Sequence, residues 1–284
     1  MEAPQPQTGS STIPCERSGL LEWPSREPFY LPSGREVQLF TAAYQHRLPV
    51  MLTGPTGCGK TRFVRYMAWR LQRPLVTVAC HDDLSANDLT GRFLVRGGET
   101  VWQDGPLTVA ARAGAICYLV DEVVEARQDP VVAIHPLTDD RRMLPMERRE
   151  ELLQAHADFQ LVVSYNPGYQ HLMKELKPST RQRFVALAFD FPPRDAEIAV
   201  ICHEAGVQRP VAVSLVKLGE RVRRLRDRGL VEVASTRLLV HAGRLMASGV
   251  EPRDACEAAI AGPLADDPEL HAAVMDLVAM TLAP

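Results

Sequence analysis

The chain has 284 residues, of which 46% are hydrophobic and 24% charged, with a formal net charge of −3. That length suits one large α/β domain plus a smaller one, and the near-neutral balance gives no general attraction to DNA or anionic membranes. The longest apolar runs are too short to span a bilayer, and the N-terminus lacks the basic-then-apolar pattern of a secretory signal. Six cysteines (Cys15, Cys58, Cys80, Cys117, Cys202, Cys256) occur without a CxxC pair, which reads as reduced thiols in a cytoplasm rather than disulfides or a zinc site.

Residues 1–19 are rich in Pro, Gln, Ser and Thr and read as an arm that builds no core. Short apolar, β-branched runs then recur at 49–53, 75–79, 116–120, 160–164 and 184–189, as expected of strands buried on both faces. Between the first two, Phe63, Val64, Met67, Ala68 and Leu71 recur at helical spacing. Alternating strands and helices predict a parallel sheet. Residues 91–105 read as a hairpin around a Gly-Gly turn, and 138–160 as a second turn-containing excursion before a core strand. Both interrupt the β-α framework, where recognition elements are often carried. Beyond Pro192 the pattern is helical only, over roughly 194–205, 210–228, 235–248, 252–261 and 267–282. The expected units are therefore an arm (1–19), an α/β domain (20–192) and a helical domain (193–284).

Gly54-Pro55-Thr56-Gly57-Cys58-Gly59-Lys60-Thr61 matches GxxxxGK[ST], between a predicted strand and an amphipathic helix. Glycines let backbone N–H groups close around phosphate oxygens, and the helix N-terminus adds a favourable dipole. Lys60 is expected to reach the β/γ-phosphates of ATP, the Thr61 hydroxyl to meet Mg²⁺, and the loop through Arg62 to line the site. A second apolar strand ends in Asp121-Glu122. Its carboxylates would arrive beside the loop, Asp121 in the Mg²⁺ shell and Glu122 orienting and deprotonating the attacking water.

These motifs, with GPTGCGKTRFV, DGPLTVAARAGAICYLVDEVVEARQD, VVSYNPGYQ, LKPSTRQRF and STRLLVHAGRLMASGV in that order, resemble the AAA+ ATPases, and more narrowly the MoxR family group that includes CbbQ, NirQ and NorQ. The likeness covers roughly 28–284. It implies a P-loop core with a parallel five-stranded sheet in the order 5-1-4-3-2 and a C-terminal helical lid. It implies sensor roles for Asn166 and Arg237, although an Asn-Pro turn and a helix-surface arginine are the plainer readings of those two residues. It also implies that Arg181 or Arg183 faces the neighbouring subunit's nucleotide as an arginine finger, hence a homo-hexamer. The two insertions resemble the helix-2 insert and the hairpin before sensor 1. Phe93, Leu94 and Trp102 on the first are either exposed for contact or packed on their own domain.

The resemblance further implies a von Willebrand factor A-domain partner (CbbO-like) and a client enzyme. Residues 102–119 and 166–184 are most similar to the CbbQ branch, whose client is Rubisco, freed of inhibitory sugar phosphates. The NorQ and NirQ branch instead implies nitric oxide reductase, through its activation or metal-site assembly. Two other classes stay open: an ATP-binding switch with little turnover, and a nucleic-acid role suggested by the arginine-rich run 221–228, whose plainer reading is a solvated helix face. Neither nucleic-acid binding nor membrane insertion is expected.

Overall fold

The structure, a computed structural model, describes residues 19–81, 83–120, 128–166, 177–225 and 232–282. The elements in chain order are α1 (Glu36–Gln45), β1 (Val50–Thr53), α2 (Lys60–Leu71), β2 (Leu75–Ala79), α3 (Ala86–Thr90), β3 (Gly91–Arg96), β4 (Glu99–Asp104), α4 (Pro106–Ala113), β5 (Ile116–Val120) and α5 (Gln128–Ile134). There follow β6 (Met143–Met146), β7 (Glu151–Gln154), β8 (Gln160–Tyr165), α6 (Pro178–Arg181) and β9 (Val185–Ala188). The helical region comprises α7 (Arg194–Ala205), α8 (Arg209–Arg223), α9 (Thr236–Ala247), α10 (Pro252–Cys256), α11 (Gly262–Leu264) and α12 (Pro268–Leu282). A π-helical turn, Glu257–Ala261, joins α10 to α11 where the sequence predicts one continuous helix.

Five parallel strands form one sheet in the order β2-β5-β8-β1-β9, which is the expected 5-1-4-3-2 when the core strands alone are counted. The middle strands β1, β5 and β8 are buried nearly throughout, because helices cover both faces. The edges depart from that expectation: β2 and β9 alternate buried with exposed residues, having one free flank. The start of β2 is paired by Glu22, whose N–H and C=O each bond Leu75 at 2.8 Å. One core lies on each face of the sheet. Phe40, Phe63, Val64 and Met67 pack on one side, and Leu89, Leu107, Ile134 and Leu144 on the other. All five strands point the same way, so their C-terminal ends share one edge, where open α/β sheets bind ligands.

The predicted hairpin at 91–105 is β3–β4, closed by Gly97 and Gly98 at φ 60° and 86°. A two-residue turn with both residues at positive φ matches strand twist and favours glycine. The second excursion is the hairpin β6–β7. Phe93 is exposed at its hairpin's surface, whereas Leu94 and Trp102 are half-buried, and Trp102 packs towards the core. Phe93 and Trp102 meet edge-to-face at 5.0 Å.

The helical region has its own core around Ile201, Leu215, Val222, Leu239 and Ile260. Inside it lies a charged cluster that corrects the reading of 221–228. Arg223 is not on a solvated face. It forms a bidentate pair with Glu197, at 2.6 and 2.9 Å, and donates to Ala234 O at 2.8 Å. Glu197 is 1% exposed and also accepts from the Thr236 hydroxyl at 2.6 Å. The Arg223 guanidinium lies 3.9 Å over the Phe191 ring. Arg221 bonds the Thr281 hydroxyl at 2.8 Å. Arg221 and Arg223 thus hold helices and the linker together, while 226–228 lie outside the described residues. Among the described residues no helix is long and apolar enough to cross a membrane.

Removing one member of a buried ion pair strands its partner's charge. Glu197→Ala is therefore expected to lower the stability of the helical region by about 3–5 kcal/mol, measured by urea denaturation.

Candidate functional site

The C-terminal edge of the sheet and the first turn of α9 enclose a cleft of about 820 Å³, within the range of small-molecule sites. Ser164, Asn166, Val120, Ala188 and Phe189 border it from the ends of β8, β5 and β9. Residues 56–61 of the loop line it, and Val200, Thr236, Arg237 and Val240 come from the helical region. Phe29 and Tyr30, from the segment before α1, close a third side.

The loop takes its shape from glycines at positive φ: Gly54 at 147°, Gly57 at 72° and Gly59 at 105°. Two of them also make close approaches. A Cβ on Gly54 would fall 2.3 Å from the Phe189 carbonyl oxygen, and one on Gly57 would fall 2.6 Å from Ser235 Cβ. Ser235 is the N-cap of α9, its hydroxyl accepting from Leu238 N at 3.4 Å. The phosphate loop is thus packed directly against the start of the helix that carries Arg237. The Gly57 Cβ position is 3.5 Å from Arg237 Cβ.

Lys60 is buried at the N-terminus of α2. Its Nζ donates to Gly54 O at 2.7 Å, Pro55 O at 2.9 Å and Asn166 Oδ1 at 2.7 Å. Asn166, immediately after β8, therefore meets the loop lysine across the sheet. Thr61 and Arg62 both line the cleft and are exposed within it. Arg62 turns to Glu204 of α7, at 2.9 Å. Cys58 is buried in the loop, and burial holds its thiol above the ordinary range against the pull of Lys60.

Asp121 and Glu122 lie outside the described residues; the chain leaves β5 at Val120, on the cleft wall. Arg181 and Arg183 are exposed and are not among the residues lining their own chain's cleft. Arg183 stands 3.6 Å from Asp139, on the excursion that leads into β6. Residues that the motifs did not indicate also belong to the site: Phe29, Tyr30, Ser235, Glu204 and Arg244. The only sequence signal for Ser235 was its position as a helix-capping serine before an apolar helical pattern.

The glycine cradle, the buried lysine and the size of the cleft fit a nucleotide triphosphate. The exposed Thr61 hydroxyl in the cleft is of a kind that can meet a cation, and among the described residues no cluster of three or more His, Cys, Asp or Glu forms a metal site.

Comparison with known proteins agrees with this geometry. Residues 49–184 match the AAA domain (dynein-related subfamily), and residues 197–281 match the CbbQ/NirQ/NorQ C-terminal family. Denitrification regulatory protein NirQ of Pseudomonas aeruginosa is 60% identical over 256 residues, covering 90% of this chain and 98% of that protein. The chain belongs to the CbbQ/NirQ/NorQ family of AAA ATPases. Protein NorQ of Paracoccus denitrificans is 58% identical over 252 residues, covering 89% of this chain and 93% of its own length. Protein CbbQ of Hydrogenophilus thermoluteolus is 57% identical over 248 residues, covering 87% and 92%. A solved structure of a candidate ATPase from Cytophaga hutchinsonii shares the fold, with a TM-score of 0.50 at 15% identity over 88% of this chain and 90% of that one. This family member is accordingly an ATPase.

Because Gly57 has both a positive φ and a neighbour at contact distance, Gly57→Ala is expected to displace the start of α9 from the loop. An alanine at such a φ costs roughly 1–2 kcal/mol before any clash. ATP affinity should fall by about tenfold or more, measured by titration calorimetry.

Proposed function

We propose that this ATPase is a ring-forming motor that remodels a client enzyme, with residues 193–284 acting as a lid over residues 20–192. The observation that carries the reading is the convergence of Lys60, Asn166 and the Arg237-bearing turn on one phosphate loop. Thr61 and Asp121 would hold a Mg²⁺ ion, which would draw charge from the phosphate oxygens of bound ATP as water takes the γ-phosphoryl group and ADP leaves. Backbone N–H groups of 54–61 cradle the phosphates. The Lys60 ammonium moves its hydrogen bonds from loop carbonyls and Asn166 to phosphate oxygens, leaving Asn166 able to position water. Glu122 accepts the proton of that water. Arg237 brings positive charge from the lid.

Arg181 and Arg183 are exposed and do not line their own cleft, which suits a role at the next subunit's nucleotide, where an arginine stabilises transition-state charge. That arrangement calls for a homo-hexamer. The free thiols Cys58, Cys80, Cys117, Cys202 and Cys256 suit a reducing cytoplasm.

For the client, residues 102–119 and 166–184 support Rubisco, approached with a von Willebrand factor A-domain partner of the CbbO kind. The 60% identity to a denitrification regulatory protein favours a second reading, nitric oxide reductase.

Glu122→Gln is expected to retain ATP binding and lower kcat by about 100-fold or more in a steady-state phosphate-release assay. For the client, Rubisco blocked by a tight-binding sugar bisphosphate should regain activity when ATP, this protein and the von Willebrand-type partner are added. No recovery, together with activation of nitric oxide reductase in the parallel assay, transfers the assignment to the second reading.

A further inference from the structure

The helical region is attached to the sheet domain at two places of different character. At the inner end of the cleft the attachment is close packing: Ser235 against Gly57, and Arg223 stacked on Phe191 in the linker. At the outer end it is charge. Glu204, in the last turn of α7, offers Oε1 to Arg62 of α2 at 2.9 Å and Oε2 to Arg244 of α9 at 3.3 Å. Arg244 Nε also donates to Glu204 O at 3.0 Å. The neighbouring His203 stacks on Phe29, with ring centroids 3.9 Å apart and planes 7° from parallel. Phe29, Arg62, Glu204 and Arg244 all line the cleft.

We propose that Glu204 is a positioning residue for the nucleotide, clasping Arg62 and Arg244 across the rim of the cleft and thereby setting how fast nucleotide leaves. The proposal rests on the reading of this cleft as the ATP site. Arg62 directly follows the phosphate-binding Thr61, and Arg244 lies about two turns along α9 from Arg237. One carboxylate therefore connects the phosphate loop's own helix to the helix bearing the lid arginine. Rotation of the lid about the packed inner contact would open the rim and separate Glu204 from Arg62.

The exposures suit a contact that breaks and re-forms. Glu204 is 17% exposed, against 43% for Arg62 and 56% for Arg244. Ion pairs this open to water are individually weak. They bias closure without locking it, unlike the bidentate Glu197–Arg223 pair, whose side chains are only 1% and 15% exposed.

The test is the dissociation of mant-ADP, chased with unlabelled nucleotide in stopped flow, from the full-length wild type, Glu204→Gln, Arg244→Ala and the double variant. Release should accelerate about fivefold in Glu204→Gln, the effect of losing one modest ionic contact. Arg244→Ala should shift it in the same direction, and the double variant should be no faster than Glu204→Gln, because both substitutions break one clasp. The melting temperature without nucleotide should stay within about 2 °C of wild type, which a general loss of structure would not allow. Unchanged release in both single variants, additive effects in the double, or acceleration matched by lowered melting overturns the proposal. Failure of the wild type to bind mant-ADP overturns the ATP-site reading instead.

Discussion

At Gly57 the phosphate loop and the first turn of α9 touch with no room for a methyl group, and at Gly54 the same loop lies against the backbone of Phe189. This double approach fixes three bodies at once: the strand ends, the loop and the helical region. Lys60 then completes the joint by bonding two loop carbonyls and the Asn166 side chain. A cation buried at a helix N-terminus is unfavourable by itself, since the helix dipole repels it. Its acceptors offset part of that cost. A phosphate anion in the loop would be a better partner for Lys60 than these neutral acceptors.

The buried Glu197–Arg223–Thr236 cluster serves the same joint from behind. Thr236 is the first residue of α9, and Ala234, whose carbonyl Arg223 holds, lies just before its N-cap. The approach of the α9 helix to the loop is thus braced on one side by Gly57 and on the other by a bidentate ion pair. Phe191 beneath the Arg223 guanidinium extends the brace into the linker. A charged brace demands more exact geometry than an apolar one would, because its hydrogen bonds are directional and its desolvation is costly if they are lost. Such a cluster suits a place where the direction of one arginine, Arg237, matters.

The core strands, the glycine-rich loop and the Gly-Gly hairpin were legible in the sequence because each is governed by local chemistry: strand-length apolar runs, glycines at obligatory turns, a lysine at fixed spacing; the sheet order came from the family resemblance. The clusters around Glu197 and Glu204 were not, since their partners lie far along the chain. The run containing Arg221 and Arg223 illustrates the limit. As a charge pattern it resembles a solvated face, yet Arg223 falls one residue after Val222 on the buried side of α8 and meets a carboxylate from α7. The available signal was Glu197 itself, which shares with Ile198, Ile201 and Ala205 the face of α7 that packs inward. A carboxylate on an apolar face asks for a cationic partner, and the nearest helices supply one.

The two insertions show how an added segment becomes part of the machine. Asp104, at the end of β4, accepts from Trp102 Nε1 at 2.7 Å and pairs with Arg112 of α4 at 3.2 Å. Arg112 also pairs with Glu151 of β7 at 2.6 Å, and Arg149 approaches both Glu151 and the Trp102 ring. The hairpins therefore share one charged joint seated on α4, which packs beside β5 and carries the chain towards the cleft wall at Val120. Surface pairs of this kind contribute little singly but more when several interlock. The exposed apolar residues Val95 and Val101 lie nearer the turn than that joint, and exposed Phe93 sits beside it, opposite Trp102. The hairpin thus has a fixed root and an apolar, solvent-facing tip. Three relatives with different names align along 87–90% of the chain at 57–60% identity. An apolar tip on a fixed root is a surface that the cleft does not constrain.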